Sequence, residues 1–218
     1  MTCWHSIPQT KEGQLLAAVI EADGRYRSFE LRELAQDAKG SDLALARLQI
    51  DIPARMNLQL ASVATTSGAD VWSYGYPLTT EITDPTGSRR FHLEPRYLQG
   101  YVTRGFWHER PRYGAFPSYE LDMPAPEGLS GAPVVRVPTL AIPGSRPQVV
   151  GVVYGRIETG VIEEFVSIDP DTGERRPEVQ RVVSFAAAHY TSTLLEASGP
   201  ATFGHSLAEY IEAWERDG

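Results

Sequence analysis

The chain has 218 residues, enough to bury a substantial core in one or two domains. With 42% hydrophobic and 22% charged residues it reads as globular, and no apolar run approaches the roughly 20 residues needed to cross a bilayer. A net charge of −8 argues against nucleic acid as the main ligand, and the sequence has neither a Cys/His cluster at zinc spacing nor a phosphate-binding Gly-Lys-Ser/Thr loop.

The chain opens on Met1-Thr2-Cys3-Trp4-His5, an apolar lead into a histidine. No basic segment running into an apolar stretch stands there, so no secretory signal is expected. Cys3 is the only cysteine, which rules out an intrachain disulfide and fits the cytoplasm. Leu15 to Ile20 reads as a strand, Ala22-Asp23-Gly24-Arg25 as a turn, and Tyr26 to Leu34 as an alternating second strand. Ser41-Asp42-Leu43-Ala44-Leu45-Ala46-Arg47-Leu48 opens a third, predicted over residues 42–50. Residues 51–60 are connecting chain.

Asp70 to Tyr76 and Leu98 to Phe106 predict strands of a second unit. The segment between them, Pro77 to Tyr97, reads as a surface loop with a turn at Asp84-Pro85-Thr86-Gly87. Val134 to Val137 and Val149 to Val153 flank a Pro-rich turn, Asp169-Pro170-Asp171-Thr172-Gly173 marks a hairpin connection, and Val182 to Ala188 is the last strand. In the tail, Leu207, Tyr210, Ile211 and Trp214 recur on one helical face, with Ser206 as cap and Glu209 completing a capping box. This predicts a C-terminal helix packed on the body.

The stretch with the most chemistry in it is Glu127-Gly128-Leu129-Ser130-Gly131-Ala132-Pro133-Val134. A serine between glycines suits a tight turn in which the N–H groups of Gly128 and Ser130 converge on one spot. Two such donors stabilise the oxyanion of a tetrahedral intermediate, and Ser130 Oγ is placed to attack. The same string also occurs in ordinary turns. His5, Asp42 and Ser130 follow one another with separations of 37 and 88 residues. A histidine titrating near neutral pH supplies a general base, and an aspartate orients it. His92, His108, His189 and His205 all come after Asp42 and are expected to be surface or structural.

These residues carry a resemblance to the trypsin-like serine peptidases of the chymotrypsin fold, closest to the compact bacterial branch that includes the high-temperature-requirement proteases. Thr2-Cys3-Trp4-His5 resembles the strand that ends in the family's histidine, and Asp42 to Leu48 resembles its "D-L-A-L-L". Gly75-Tyr76-Pro77 is similar to its "G-Y-P", and residues 128–133 to its "G-x-S-G-G-P", with Ala132 the one departure. Val149 to Val153 resembles the "V-x-G-V" strand that follows the serine. The likeness runs from Thr2 to about Leu195.

The resemblance implies a mainly β, chymotrypsin-like double β-barrel with a C-terminal helix. The first barrel, residues 1–62, lacks its initial strands; the second, residues 63–197, carries the nucleophile; residues 198–218 form a helical extension. The short lead before His5 is explained either by a true start upstream of Met1 or by a partner chain or altered barrel that compensates. The implied catalytic residues are His5, Asp42 and Ser130, with Gly128 and Ser130 forming the oxyanion hole. Pro124, Ala125, Tyr154, Gly155 and Arg156 are expected to bind substrate. Pro124 stands where basic-specific trypsins carry their pocket acid, so cleavage after Arg or Lys is not expected. Arg156 is either a solvated arginine or a partner for an acidic substrate residue.

The expected activity is that of a serine endopeptidase acting on proteins or peptides, without cofactor or metal. Trypsin-like domains without export signals also look like effectors of bacterial defence systems, released by a regulatory protein partner. The alternative is a dormant peptidase-like subunit that binds partners in an assembly.

Overall fold

The computed structural model describes residues 1–7, 16–20, 26–48, 58–77, 80–83, 89–92, 94–136 and 146–217. Of these, the side chains of 16–20, 26–30, 48, 80–83, 89–92, 159–167, 175–182, 215 and 217 are left out of the description. The expected turns at 22–25 and 84–87 and most of the Pro-rich turn lie outside the described residues.

Two β-sheets make up most of the chain. The first contains β1 (Thr2–Cys3), β2 (Leu16–Ile20), β3 (Tyr26–Gln36) and β4 (Leu43–Leu48), in the order β1-β4-β3-β2. Among the described residues this sheet is open, with β1 and β2 at its edges. The second begins with β5 (Gln59–Leu60) and β6 (Asp70–Gly75). The expected loop 77–97 instead carries a hairpin of β7 (Thr80–Thr83) and β8 (Arg89–His92).

Beyond it come β9 (Arg96–Arg110), β10 (Gly114–Leu121), β11 (Pro133–Arg136), β12 (Gln148–Ile168) and β13 (Arg175–Tyr190). β11 pairs with both β6 and β12, so the series β11-β6-β9-β10-β13-β12 closes on itself, while β5 adds to β12 in parallel. Closure removes the sheet edges and fixes the ring's register.

β10 did not stand out in the sequence because Pro117 interrupts it. Proline cannot donate to a ladder, and it normally argues against an interior strand. Here the β10–β13 pairing begins at Ser118, so Pro117 stands just outside that ladder. β12 and β13 run far beyond the short strands expected for them. Asp169 stabilises the turn that joins them: its Oδ1 accepts the Asp171 and Thr172 N–H groups at 2.9 and 3.2 Å.

One apolar core fills the closed ring around Val71, Val102, Tyr119, Leu121, Leu129 and Val150. A second joins the two sheets: Cys3, Leu43 and Leu45 pack with Phe116, Val149, Val152 and Tyr154. Leu194 from α1 (Thr191–Glu196) completes it. The C-terminal segment also braces the loop before Asp42, because Asp37 Oδ1 accepts the Ser198 N–H at 2.9 Å and the Ala38 N–H donates to Ser198 O at 2.9 Å.

The expected terminal helix is α2 (Leu207–Asp217). Its capping box is formed: Ser206 N donates to Glu209 Oε2 at 2.9 Å and Glu209 N to Ser206 Oγ at 3.3 Å. Leu207, Tyr210 and Ile211 are half-buried, but Trp214 at the end of the same face stays 59% exposed.

His189 lies in the inter-sheet core, fully buried between Phe116 and Tyr154, with both ring nitrogens lacking a partner among the described residues. Burial is the largest influence on it and lowers its pKa from 6.5 to about 4. The unfolded chain therefore binds a proton that the folded chain refuses. The stability this gives is complete above about pH 6.5 and is lost as the pH falls toward 4, about 3 kcal/mol in all. His189→Phe is expected to flatten that dependence. The check is to compare urea midpoints at pH 7.5 and 4.5: a wild-type protein no more acid-sensitive than the variant would contradict it.

Candidate active site

Antiparallel pairing of Thr2 with Ala44 and Cys3 with Leu43 puts the end of β1 beside the start of β4. His5 follows β1 in a short 3-10 turn, Trp4–Ser6, and Asp42 immediately precedes β4. The turn is fixed to its neighbour by Trp4 N donating to Asp42 O at 3.1 Å. His5 Nδ1 then lies 2.6 Å from Asp42 Oδ2, while the His5 backbone N–H donates to Asp42 Oδ1 at 3.0 Å. Asp42 is completely buried, and the His5 side chain is 30% exposed.

A residue absent from the sequence reading joins this pair. Arg110, at the end of β9, donates from Nη1 to Asp42 Oδ2 at 2.8 Å. Burial, the largest influence, pushes the Asp42 carboxyl up. The His5 side-chain and backbone hydrogen bonds and the His5 and Arg110 charges outweigh it, and the carboxyl stays below its ordinary value. No local pattern announces Arg110: it stands 68 residues from Asp42, in a basic hairpin tip that reads as a solvated turn.

Ser130 comes from the other sheet. Leu129 N donates to Pro126 O at 3.1 Å and Gly128 has φ +85°, the arrangement of a turn that needs a left-handed third residue. Leu129 is buried in the ring's core and anchors the turn, and the Ala132 methyl is taken into the same core. Beyond the serine, Gly131 N donates to Val153 O at 2.8 Å and Val153 N to Ala132 O at 2.9 Å. The N–H groups of Gly128 and Ser130 have no acceptor among the described residues, and Ser130 Oγ makes no hydrogen bond there either. The link from Ser130 to His5 is therefore not formed in this structure.

Gly131 is where the two halves meet. Its φ is +94°, and a Cβ there would lie 2.2 Å from Thr2 Oγ1. Only glycine lets the serine turn close against β1 and bring Ser130 to the seam that carries His5.

A cleft of about 410 Å³ runs beside the serine. Ala125, Gly155 and Arg156 line it with Gly128, Leu129, Ser130 and Val153. Two residues expected to bind substrate lie elsewhere. Pro124 is exposed and outside the cleft. Tyr154 is buried, and its hydroxyl donates to Ser118 Oγ at 3.0 Å. Tyr154 lies between Val153 and Gly155, which face the cleft, so strand alternation turns it to the opposite face of β12, into the inter-sheet core. Arg156 pairs with Glu158 at 3.1 Å.

Cys3, Asp42 and His189 offer a buried trio of metal-ligating atoms within 4.8 Å of one another. Their present bonds favour a protein network over an ion. Both Asp42 oxygens already accept from His5 and Arg110, and the Cys3 thiol donates to Val153 O at 3.1 Å. Burial, with the nearby Asp42 charge, pushes that thiol up to about 12.

No protein-family model and no curated protein matches the sequence. Solved structures do match in shape. A crystal structure of Rv3671c from M. tuberculosis, a serine-to-alanine mutant in an inactive form, aligns with a TM-score of 0.50 at 15% identity, covering 99% of this chain and 76% of that one. Deg5 aligns with a TM-score of 0.39 at 18% identity, over 63% of this chain and 57% of its own. The chain is thus mainly β, with a chymotrypsin-like fold and a C-terminal helix. No described helix is long and apolar enough to cross a membrane.

Gly131→Ala should disturb the seam selectively. The clash with Thr2 and the left-handed backbone together cost about 1–3 kcal/mol. A melting temperature lowered by about 2–12 °C is expected, with at least a tenfold loss of reactivity toward a fluorophosphonate. Unchanged melting and labelling would show that the turn tolerates a side chain.

Proposed function

We propose that this chain is a serine endopeptidase acting on proteins or peptides. The observation that carries the proposal is the buried Asp42 carboxylate gripping His5 through both Nδ1 and the backbone N–H. This leaves Nε2 as the ring nitrogen able to take a proton. In the proposed reaction Ser130 Oγ attacks the scissile carbonyl carbon and its proton passes to His5 Nε2. The carbonyl oxygen becomes an oxyanion, held by the Gly128 and Ser130 N–H groups. Collapse of the intermediate breaks the C–N bond, His5 returns the proton to the departing amine, and water activated by His5 releases the acyl group. Substrate lies along the cleft wall formed by Ala125, Gly155 and Arg156.

The proposal includes gating. Ser130 Oγ and His5 are unlinked here, and the sheet that carries His5 is open among the described residues. A substrate or a regulatory protein that braces this sheet completes the site. The idea of a bacterial defence effector rests on sequence resemblance alone. The unlinked serine also favours a second reading, a dormant peptidase-like subunit used for assembly.

A fluorophosphonate separates the two. Labelling of the wild-type chain but not of Ser130→Ala is expected, with unchanged folding of the variant. Peptide cleavage should fall on the order of 10⁶-fold. Absence of labelling in wild type, alone and with cell extract, would favour the dormant subunit. Gating predicts slow digestion of unfolded casein by the isolated chain; a rate like that of free digestive proteases would refute it.

A further inference from the structure

We propose that Arg110 is a positioning residue for the catalytic pair, setting the plane and charge of Asp42 from the opposite sheet; this rests on the peptidase reading above. Asp42 Oδ2 is shared between His5 Nδ1 at 2.6 Å and Arg110 Nη1 at 2.8 Å. Oδ1 takes only the His5 backbone N–H among the described residues. Without Arg110, the carboxylate keeps the two His5 bonds and only the electrostatic contact of the Tyr113 hydroxyl besides. The group that should orient the ring would then turn with it.

Arg110 is itself held in place. It closes the β9–β10 hairpin, paired across from Gly114. Its guanidinium lies 5.4 Å from the Tyr113 ring centroid and 5.5 Å from that of Tyr154. Such contacts favour a desolvated cation, and a planar guanidinium keeps its donors in a fixed fork. The Tyr154 ring is fixed in turn, since its hydroxyl bonds Ser118 Oγ and lies 2.5 Å from His108 Nδ1. Each support comes from the closed ring, so the rigid half of the molecule reaches across to orient the carboxylate of the open half.

Arg110 has two effects on the reaction, of opposite sign. Orientation of Asp42 raises the rate. The positive charge also offsets part of the carboxylate's attraction for a protonated imidazole. The remaining titratable groups around the pair are Cys3, His108, Tyr113, Tyr154 and His189. None of them supplies a fixed cation at Asp42. Lysine and glutamine at position 110 therefore separate the effects: Arg110→Lys keeps the charge without the fork, and Arg110→Gln keeps a donor without the charge.

The test is the pH profile of kcat and KM for wild type and both variants, together with the ¹H spectrum of the His5 Nδ1–H proton, assigned by its loss in His5→Gln. Both variants should lose kcat by about 10- to 100-fold with KM within twofold. In Arg110→Gln alone the acid limb of kcat/KM should move to higher pH, because a charge opposing ring protonation has gone. The Nδ1–H resonance should shift in both. Folded variants with wild-type kcat, pH profile and resonance would overturn the proposal. If the wild-type chain proves inactive, a shifted resonance still supports the positioning role while the peptidase reading fails, and an unshifted one overturns the role as well.

Discussion

The site depends on one buried charge. Asp42 is wholly removed from water, and an ionised carboxylate in that position costs several kcal/mol unless its lone pairs are satisfied. Three donors meet the need: two from His5 and one from Arg110. The consequence is mutual. His5 sits near a chain end in a short turn with no buried side chain of its own, and its place is defined by what Asp42 requires. Losing His5 would remove two of those three donors.

The two sheets differ in how their geometry is determined. The ring from β6 to β13 closes on itself, so each strand's register is constrained from both sides. It carries Ser130, its anchoring Leu129 and the cleft. The open sheet carries His5, and the edge strand before it, β1, takes its register from β4 alone. It is steadied by the inter-sheet core, by the Cys3 thiol on Val153 O, and by the C-terminal segment that holds Asp37. Ser198 and α1 thus tie down the loop that delivers Asp42, through Asp37 and through Lys39 paired with Glu196 at 2.8 Å.

How much of this the sequence revealed follows from how local each feature is. Asp42 at the mouth of an apolar strand, Ser130 between glycines and the Ser206/Glu209 cap are all set within a few residues, and all were legible. β10 was hidden by Pro117, whose effect depends on where its neighbour's ladder begins. Tyr154 stands between two residues that face the cleft, so its own side chain points to the other face of the strand, into the inter-sheet core. Arg110 was invisible because its meaning is wholly tertiary. Its partner is a carboxylate in another sheet, and nothing in the hairpin tip distinguishes it from its exposed neighbour Arg112.

The arrangement also explains why His5 and Ser130 are unlinked while groups beside them are bonded across the seam. The ties across the seam, Arg110 to Asp42 and Cys3 to Val153, end on groups behind or beside His5. They fix the carboxylate and the strand before the histidine, but not the distance from the ring to Ser130. On the serine side the close approach is at Gly131, where a Cβ would lie 2.2 Å from Thr2 Oγ1. Among the described residues no hydrogen bond sets the separation of His5 from Ser130. On the proposed peptidase reading, a chain of substrate in the cleft or a protein along the sheet's free edge would add bonds there, and the distance from His5 to Ser130 is the quantity such binding would change.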